Sequence, residues 1–258
     1  MKILFLGDIV GKAGREALKW ISPTWIQEAD FCIVNGENAA GGNGLTPSVV
    51  EEILSTGVNV ITTGNHIWDK KEILPFLDKE PRLLRPSNYP PQVPGYGSGV
   101  FRSRGGRKIA VLNLGGRVFM PPLDCPFRKA KEEISRLKEE TLCIIIDMHA
   151  EATSEKIALA YYLQGEVSAV VGTHTHVQTA DEKILEGGTA YITDVGMVGP
   201  EDSVIGMKKE EVLQRFLTLI PVRLKPARSG MRINGLWIEV DDATGKALKV
   251  SRINERLR

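Results

Sequence analysis

Apolar residues along the chain fall in short runs. KILFLG (2–7), FCIVNG (31–36), VNVITTG (58–64), KIAVLNLGG (108–116), TLCIIID (141–147) and VSAVVG (167–172) are β-branched-rich and bounded by Gly, Asn or Asp. Several lack the alternation of a half-exposed strand and are predicted to be strands buried on both faces. The helical period appears between them. LTPSVVEEILSTG (45–57) places Thr46 as the cap, Pro47 as the first helical residue and Gly57 just past the end. ATSEKIALAYYLQG (152–165) repeats that design, with Thr153 or Ser154 as the cap and Gly165 as the stop. FRKAKEEISRLKEE (127–140) predicts a charged surface helix, and a helix between Gly14 and Glu28 is expected to break or kink at Pro23.

This alternation of strand and helix predicts an α/β protein with a largely parallel sheet. Two stretches depart from it. GVFRSRGGRKIAVLNL (99–114) and RINGLWIEVDDATGKALKVSRI (232–253) each read as two strands around a tight Gly-containing turn, which adds antiparallel hairpins and points to a mixed, two-sheet core. Residues 1–258 are expected to form one domain. The proline-rich stretch at about 69–97 is expected to be a surface excursion or small cap.

Composition changes the picture mainly by exclusion. With 33 basic and 32 acidic residues the net charge is +1, so no global field draws the chain to nucleic acid or to an anionic membrane. Any anion must be held locally. The 3 cysteines, at 32, 125 and 143, are odd in number and widely spaced, which fits reduced thiols in a cytoplasm. The apolar part of MKILFLGDIVGK is too short for a secretory signal and is interrupted by Asp8; it reads as a first strand. No run of 18 apolar residues is present to span a membrane.

Candidate chemistry collects where the strands end. Asp8 follows the first, Glu37 and Asn38 the second, Asn65 and His66 the third; His149 follows TLCIIID, and His174 and His176 follow VSAVVG. These residues include all 4 histidines of the chain. In open α/β sheets the carboxyl ends of the strands form the ligand crevice, so the residues are expected to converge. Carboxylate, carboxamide and imidazole without thiolate suit Mn, Fe or Zn better than calcium or a lone magnesium. Asp8, Glu37, Asn38, Asn65, His149, His174 and His176 exceed the needs of one ion, so two ions sharing Glu37 are expected. Such a pair acidifies water and stabilises in-line displacement at phosphorus.

GD (7–8), GEN (36–38), GNH (64–66), DMH (147–149) and GTHTH (172–176) resemble, in order, the motifs of calcineurin-like metallophosphoesterases. Val10 stands where that superfamily usually has a histidine, and Glu37 where it has a bridging Asp. With GENAAGG, GNHIWDKKE, GRVFMPP, HAEATSEK, GTHTHVQTADE and YITDVGM, these departures resemble the YmdB-like branch of cyclic-nucleotide phosphodiesterases, across essentially the whole chain. The resemblance implies a four-layer α/β/β/α sandwich with mixed sheets and a C-terminal antiparallel hairpin. It also implies one ion on Asp8, Glu37, Asn38 and His176 and a second on Glu37, Asn65, His149 and His174. His66 is then left to contact the phosphate or protonate the leaving alkoxide. Two divalent transition metal ions are implied, iron or manganese before zinc. The expected reaction is attack of a metal-bound hydroxide on a small cyclic nucleotide of the 2′,3′- or 3′,5′-cyclic AMP class, in a cytoplasmic homo-oligomer, dimer or tetramer.

Plainer readings exist for each residue. Asp8 could cap the following helix, Glu37 could be a turn residue, Asn38 and Asn65 could be turn formers, and His66 and His149 could be satisfied within the fold. Their shared position at strand ends favours the site. A P-loop is rejected, because Gly7 and Gly11-Lys12 are separated by three residues and Ala13 replaces the Ser/Thr. Asp147 is a candidate to orient a ligand. Arg85, Tyr89, Arg117 and Phe119 are read first as structural, with nucleotide contact as the second reading. A metal-dependent amidohydrolase or deaminase is the second activity, disfavoured because the Pro-Cys-x-x-Cys of zinc deaminases is absent. A non-catalytic nucleotide-binding regulator is the third.

Overall fold

The first apolar run forms β1 (Lys2–Ile9), followed by α1 (Gly11–Ile21), β2 (Phe31–Asn35), α2 (Pro47–Ser55) and β3 (Val60–Thr62). β1 pairs in parallel with β2, and β2 with β3, so their carboxyl ends emerge on one side. After α3 (Leu74–Leu77) the chain crosses to a second sheet built from β4 (Ser98–Arg102), β5 (Lys108–Gly115), β6 (Ile144–His149), β7 (Ala169–Thr173), β8 (Lys183–Leu185) and β9 (Thr189–Ile192). α4 (Pro126–Leu137) and α5 (Thr153–Tyr162) connect β5 to β6 and β6 to β7. The chain then returns to the first sheet with β10 (Met197–Pro200), passes through α6 (Lys209–Thr218) and ends in the hairpin of β11 (Met231–Val240) and β12 (Ala247–Leu257). The computed structural model describes residues 1–257. Its two six-stranded sheets have the orders β12-β11-β10-β1-β2-β3 and β4-β5-β6-β7-β9-β8.

The absence of alternation in the apolar runs is explained by three cores. Ile3, Phe5, Phe31 and Ile33 point between the sheets and meet Val111, Ile145, Val171 and Ile192. Their neighbours Leu4, Leu6, Cys32 and Val34 point the other way, onto Ala17, Leu18 and Ile21 of α1 and Val50 and Ile53 of α2. On the far side, Leu112, Ile144 and Ile146 pack against Ala130, Ile134 and Leu137 of α4 and Leu159 of α5. Both expected hairpins are present, β4 with β5 and β11 with β12, and the layers run α/β/β/α. Among the described residues no helix is long and apolar enough to cross a membrane.

Local signals hold at some helix ends and fail at another. Thr46 Oγ1 accepts from the Val49 amide with Pro47 opening α2, and Gly57 follows at φ +98°. At α5 the expected Thr153 or Ser154 cap is corrected: the cap is Ala152, with no side-chain bond. Its carbonyl accepts from the Glu155 and Lys156 amides, which places Thr153 one residue inside the helix. Pro23 does not end the helical path after α1; it sits in a π-helical turn, Ser22–Ile26. Along 69–97, Ile73, Leu77, Leu83 and Leu84 are fully buried. Leu83 enters the core beneath α1 and α2, and Leu84 the core between the sheets, so this segment is stitched into two layers.

Candidate metal centre

The carboxyl ends of β1, β2, β6 and β7 bring together side chains from both sheets. Asp8, Glu37 and His149 are fully buried, and Asn38 nearly so. Glu37 Oε1 lies 3.0 Å from His149 Nε2, and His149 Nε2 lies 3.0 Å from His174 Nδ1. Beside them His176 Nε2 lies 3.0 Å from Asn38 Nδ2 and 3.6 Å from Asp8 Oδ1. Asn38 Nδ2 is 3.5 Å from Asp8 Oδ1, and the His174 amide donates to Asp8 Oδ2 at 3.3 Å. His66 reaches the cluster through its backbone, its amide donating to Glu37 Oε2 at 2.9 Å. Its imidazole is half-buried at the rim, with Nδ1 2.9 Å from Asp69 Oδ2. Asn65 sits in the same 3₁₀ turn, Asn65–Trp68, and its Oδ1 is buried without a hydrogen-bond partner.

The turn carrying the histidine pair is strained. His174 has φ +105° and His176 has φ +64°, both in the region non-glycine residues rarely occupy. Two anchors hold them there. His176 Nδ1 bonds the Ile205 carbonyl at 2.9 Å, which leaves Nε2 free to face Asp8 and Asn38. The intervening Thr175 amide donates to Asp194 Oδ2, which also meets Lys156 Nζ at 2.7 Å. Lys156 is fully buried and donates as well to the Thr173 carbonyl at the end of β7. Gly64 makes room on the opposite wall. A Cβ there would lie 2.1 Å from His149 Nε2, so the glycine of GNH is required by the close approach of the imidazole.

A polar network behind His149 sets its proton. Thr173 Oγ1 donates to Asp147 Oδ1 at 2.6 Å, so toward His149 Nδ1, 2.9 Å away, the hydroxyl is the acceptor. That places a proton on Nδ1 and turns the Nε2 lone pair to the cluster. Asn35 donates to Asp147 Oδ2 at 3.1 Å, and its Oδ1 accepts from the Glu37 amide. Thr62 also donates to Asp147 Oδ2.

The electrostatics couple the buried carboxylates to the imidazoles beside them. Burial alone would hold His149 down, but the Glu37 carboxylate beside it lifts it to about 9. Burial also opposes ionisation of Asp8, yet His176 and His149 bring its carboxyl down to about 2. Glu37 is likewise lowered, burial being outweighed by His149. His174 is pushed down to about 4 by burial and by the adjacent His149 charge. Asp147 is raised to about 6 by burial.

These residues fit metal ions on the chemistry of their donor atoms. His149 Nε2 and His174 Nδ1 face each other at 3.0 Å, and Glu37 Oε1, buried without a hydrogen-bond partner, points to the same place. Glu37, His149 and His174 offer ligand atoms all within 4.8 Å of one another. All of them are hard or borderline oxygen and nitrogen donors, as expected for a divalent transition metal.

Outside this cluster, Arg85 and Tyr89 are held by local contacts. Arg85 is buried and bonds three backbone carbonyls, of Pro86, Val93 and Pro94. Tyr89 stacks edge-on against Trp68 at 5.2 Å. The Arg117 amide donates to Glu155, while Phe119 is 89% exposed. Asn35, Thr62, Thr173, Lys156 and Asp194 escape the sequence reading. Thr173 lies within GTHTH, Lys156 within HAEATSEK and Asp194 within YITDVGM, but the motifs single out none of the three.

Comparison with known proteins agrees with this arrangement. The chain is 51% identical over 255 residues to the 2′,3′-cyclic-nucleotide 2′-phosphodiesterase of Bacillus subtilis (strain 168), covering 98% of this chain and 96% of that protein. A crystal structure of a hypothetical protein from Thermus thermophilus superposes with a TM-score of 0.93 at 39% identity, covering 99% of both chains. That of a novel phosphatase from Mycoplasma pneumoniae superposes at 0.92, also at 39% identity, covering 99% of this chain and 93% of that one. A family model described as YmdB-like protein matches residues 4–253, and the chain belongs to that family.

Proposed function

We propose that this phosphoesterase hydrolyses the cyclic phosphodiester of a small nucleotide, of the 2′,3′-cyclic class first and the 3′,5′-cyclic class second, in the cytoplasm. The observation that carries the reading is the convergence of Asp8, Glu37, Asn38, His149, His174 and His176 at the strand ends of two sheets. Asp8, Glu37, Asn38 and His176 would hold one divalent ion, and Glu37, Asn65, His149 and His174 a second, with iron or manganese preferred over zinc. Two such ions supply positive charge that polarises a phosphoryl oxygen and acidifies water near neutral pH. Residues 1–258 act in this reading as a single domain, with 69–97 as its strap.

The chain's own residues do the rest. Asp147 and Thr173 keep the His149 proton on Nδ1, so its other nitrogen stays available to the site. Glu37, fixed by the His66 amide through Oε2, keeps Oε1 directed at His149. Asp69 holds His66 by Nδ1, which leaves Nε2 to donate a proton to the departing ribose oxygen. The test is turnover of 2′,3′-cyclic AMP, 3′,5′-cyclic AMP and bis-p-nitrophenyl phosphate by protein reconstituted with manganese or iron. Glu37→Gln is expected to lower kcat by about 10²-fold or more. Absence of turnover with every metal, or unchanged turnover in that variant, overturns the reading.

A further inference from the structure

A cavity of about 440 Å³, walled by Gly41 and Pro226, has a charged lining that is entirely basic: Lys12, Lys208, Lys225 and Arg228. In a chain of net charge +1 this concentration is local. Lys12 and Lys225 have only loose carboxylate neighbours, Glu16 at 3.5 Å and Glu211 at 3.9 Å. Among the described residues, Lys208 and Arg228 have no carboxylate within salt-bridge distance. A larger cavity of about 700 Å³ elsewhere is different in kind. There Asp124, Glu132 and Glu133 stand among the cations, and Lys129 and Arg136 are paired with Glu133.

The basic cavity and the metal centre share their backbone. Pro226, in the cavity wall, packs on Gly11 and Gly42; a Cβ on either would lie within 3.1 Å of its ring. The amides of Gly11 and Gly42 both donate to the carbonyl of Asn38, whose side chain faces Asp8 and His176. The lobe that supplies Lys208, Lys225 and Arg228 also supplies the Ile205 carbonyl that holds His176. Gly41 completes the rim at φ +76°, exposed, with open space where a side chain would stand.

We infer that this cavity receives a second phosphate of the substrate, one beyond the phosphodiester that is hydrolysed. The inference rests on the proposed function and narrows its substrate to a nucleotide carrying a further phosphate. Two sources share that chemistry, a 5′-phosphate on the same nucleoside and the internucleotide phosphate of an oligoribonucleotide ending in a 2′,3′-cyclic phosphate. Cations that neutralise a phosphate release counterions, so the preference falls with salt.

The test compares kcat/KM of the manganese-loaded full chain for three substrates: adenosine 2′,3′-cyclic phosphate, its 5′-phosphorylated form, and a diribonucleotide ending in a 2′,3′-cyclic phosphate. At least one two-phosphate substrate is expected to be preferred by about tenfold, with that preference shrinking between about 50 and 200 mM salt. Preference for the 5′-phosphorylated form identifies a nucleoside bisphosphate, and for the diribonucleotide an RNA end. The double variant Lys208→Ala/Arg228→Ala, at two exposed positions, is expected to bring the substrates to equal kcat/KM. Equal kcat/KM in the wild-type protein, or a preference retained by the variant, overturns the inference. If no substrate is turned over, the proposed function fails instead, and the cavity is tested by binding. Fluorescence anisotropy of a labelled diribonucleotide 3′-phosphate with chelator-treated protein should then show tighter binding by wild type than by the variant. Equal binding overturns the inference in that case.

Discussion

At the scale of the residue, His149 concentrates the chemistry of the site. Its nitrogen toward Glu37 is exposed to negative charge, its other nitrogen is tied to Thr173 and Asp147, and Gly64 lies against its ring. Its pKa is raised, from 6.5 to about 9, so the protonated imidazole stabilises the metal-free fold fully below pH 6.5, and that contribution is lost as pH rises through about 9. Chelator-treated protein is therefore expected to lose a few kcal/mol of stability across that window, read as a falling urea midpoint. Glu37→Gln, which removes the carboxylate responsible, should flatten the loss. A midpoint that rises across the window would contradict this assignment. The sequence makes this part of the site legible because imidazoles and carboxylates are scarce at strand ends without a reason. Thr173 and Asn35 are not legible, because a hydroxyl or carboxamide in a strand carries no signal until its partner is located.

At the scale of the element, the question is how a turn with two histidines at positive φ is kept in place. The answer lies in α5, whose Lys156 reaches through the core to Asp194 and the end of β7. A buried ion pair contributes little when intact, but breaking it leaves a charge without a partner. Lys156→Met should destabilise the protein by about 3–5 kcal/mol. At roughly 2–4 °C per kcal/mol for a chain of this size, the melting temperature falls by about 6–20 °C. A melting temperature within about 2 °C of wild type would show that Asp194 does not depend on the lysine. In the sequence this lysine looks like an ordinary member of a charged first turn. Helix propensity and period locate α5 correctly but say nothing about which long side chain turns inward. The same limit explains the cap: Thr46 is identifiable because Pro47 fixes the helix start, whereas nothing before Thr153 fixes it, and Ala152 takes the position.

At the scale of the whole molecule, the two-sheet architecture is legible because apolar runs without alternation must be covered on both faces, and the three cores supply that cover. The path of 69–97 is not, because proline-rich sequence predicts irregular backbone and leaves open that Leu83 and Leu84 enter different layers. Because the candidate ligands come from both sheets, ions bound there would join the two halves of the fold. Saturating manganese or iron is expected to raise stability by about 2.7 kcal/mol per site at a hundred times the dissociation constant. Differential scanning calorimetry of chelated and reloaded protein measures this, and Asp8→Asn and His149→Ala should each reduce the gain. No change in melting temperature on reloading would mean that the folded chain holds no ion.

The layer of Ile3, Phe5, Phe31 and Ile33 against Val111, Ile145, Val171 and Ile192 has a consequence for the candidate centre. It works as a spacer: its thickness sets how far apart the strand ends of the two sheets stand on either side of that centre. A change of bulk at one of these aliphatic positions is therefore expected to shift the strand ends of one sheet against those of the other, although none of these side chains belongs to the candidate centre. Substitution in such an oily seam then reaches the candidate centre through the backbone alone.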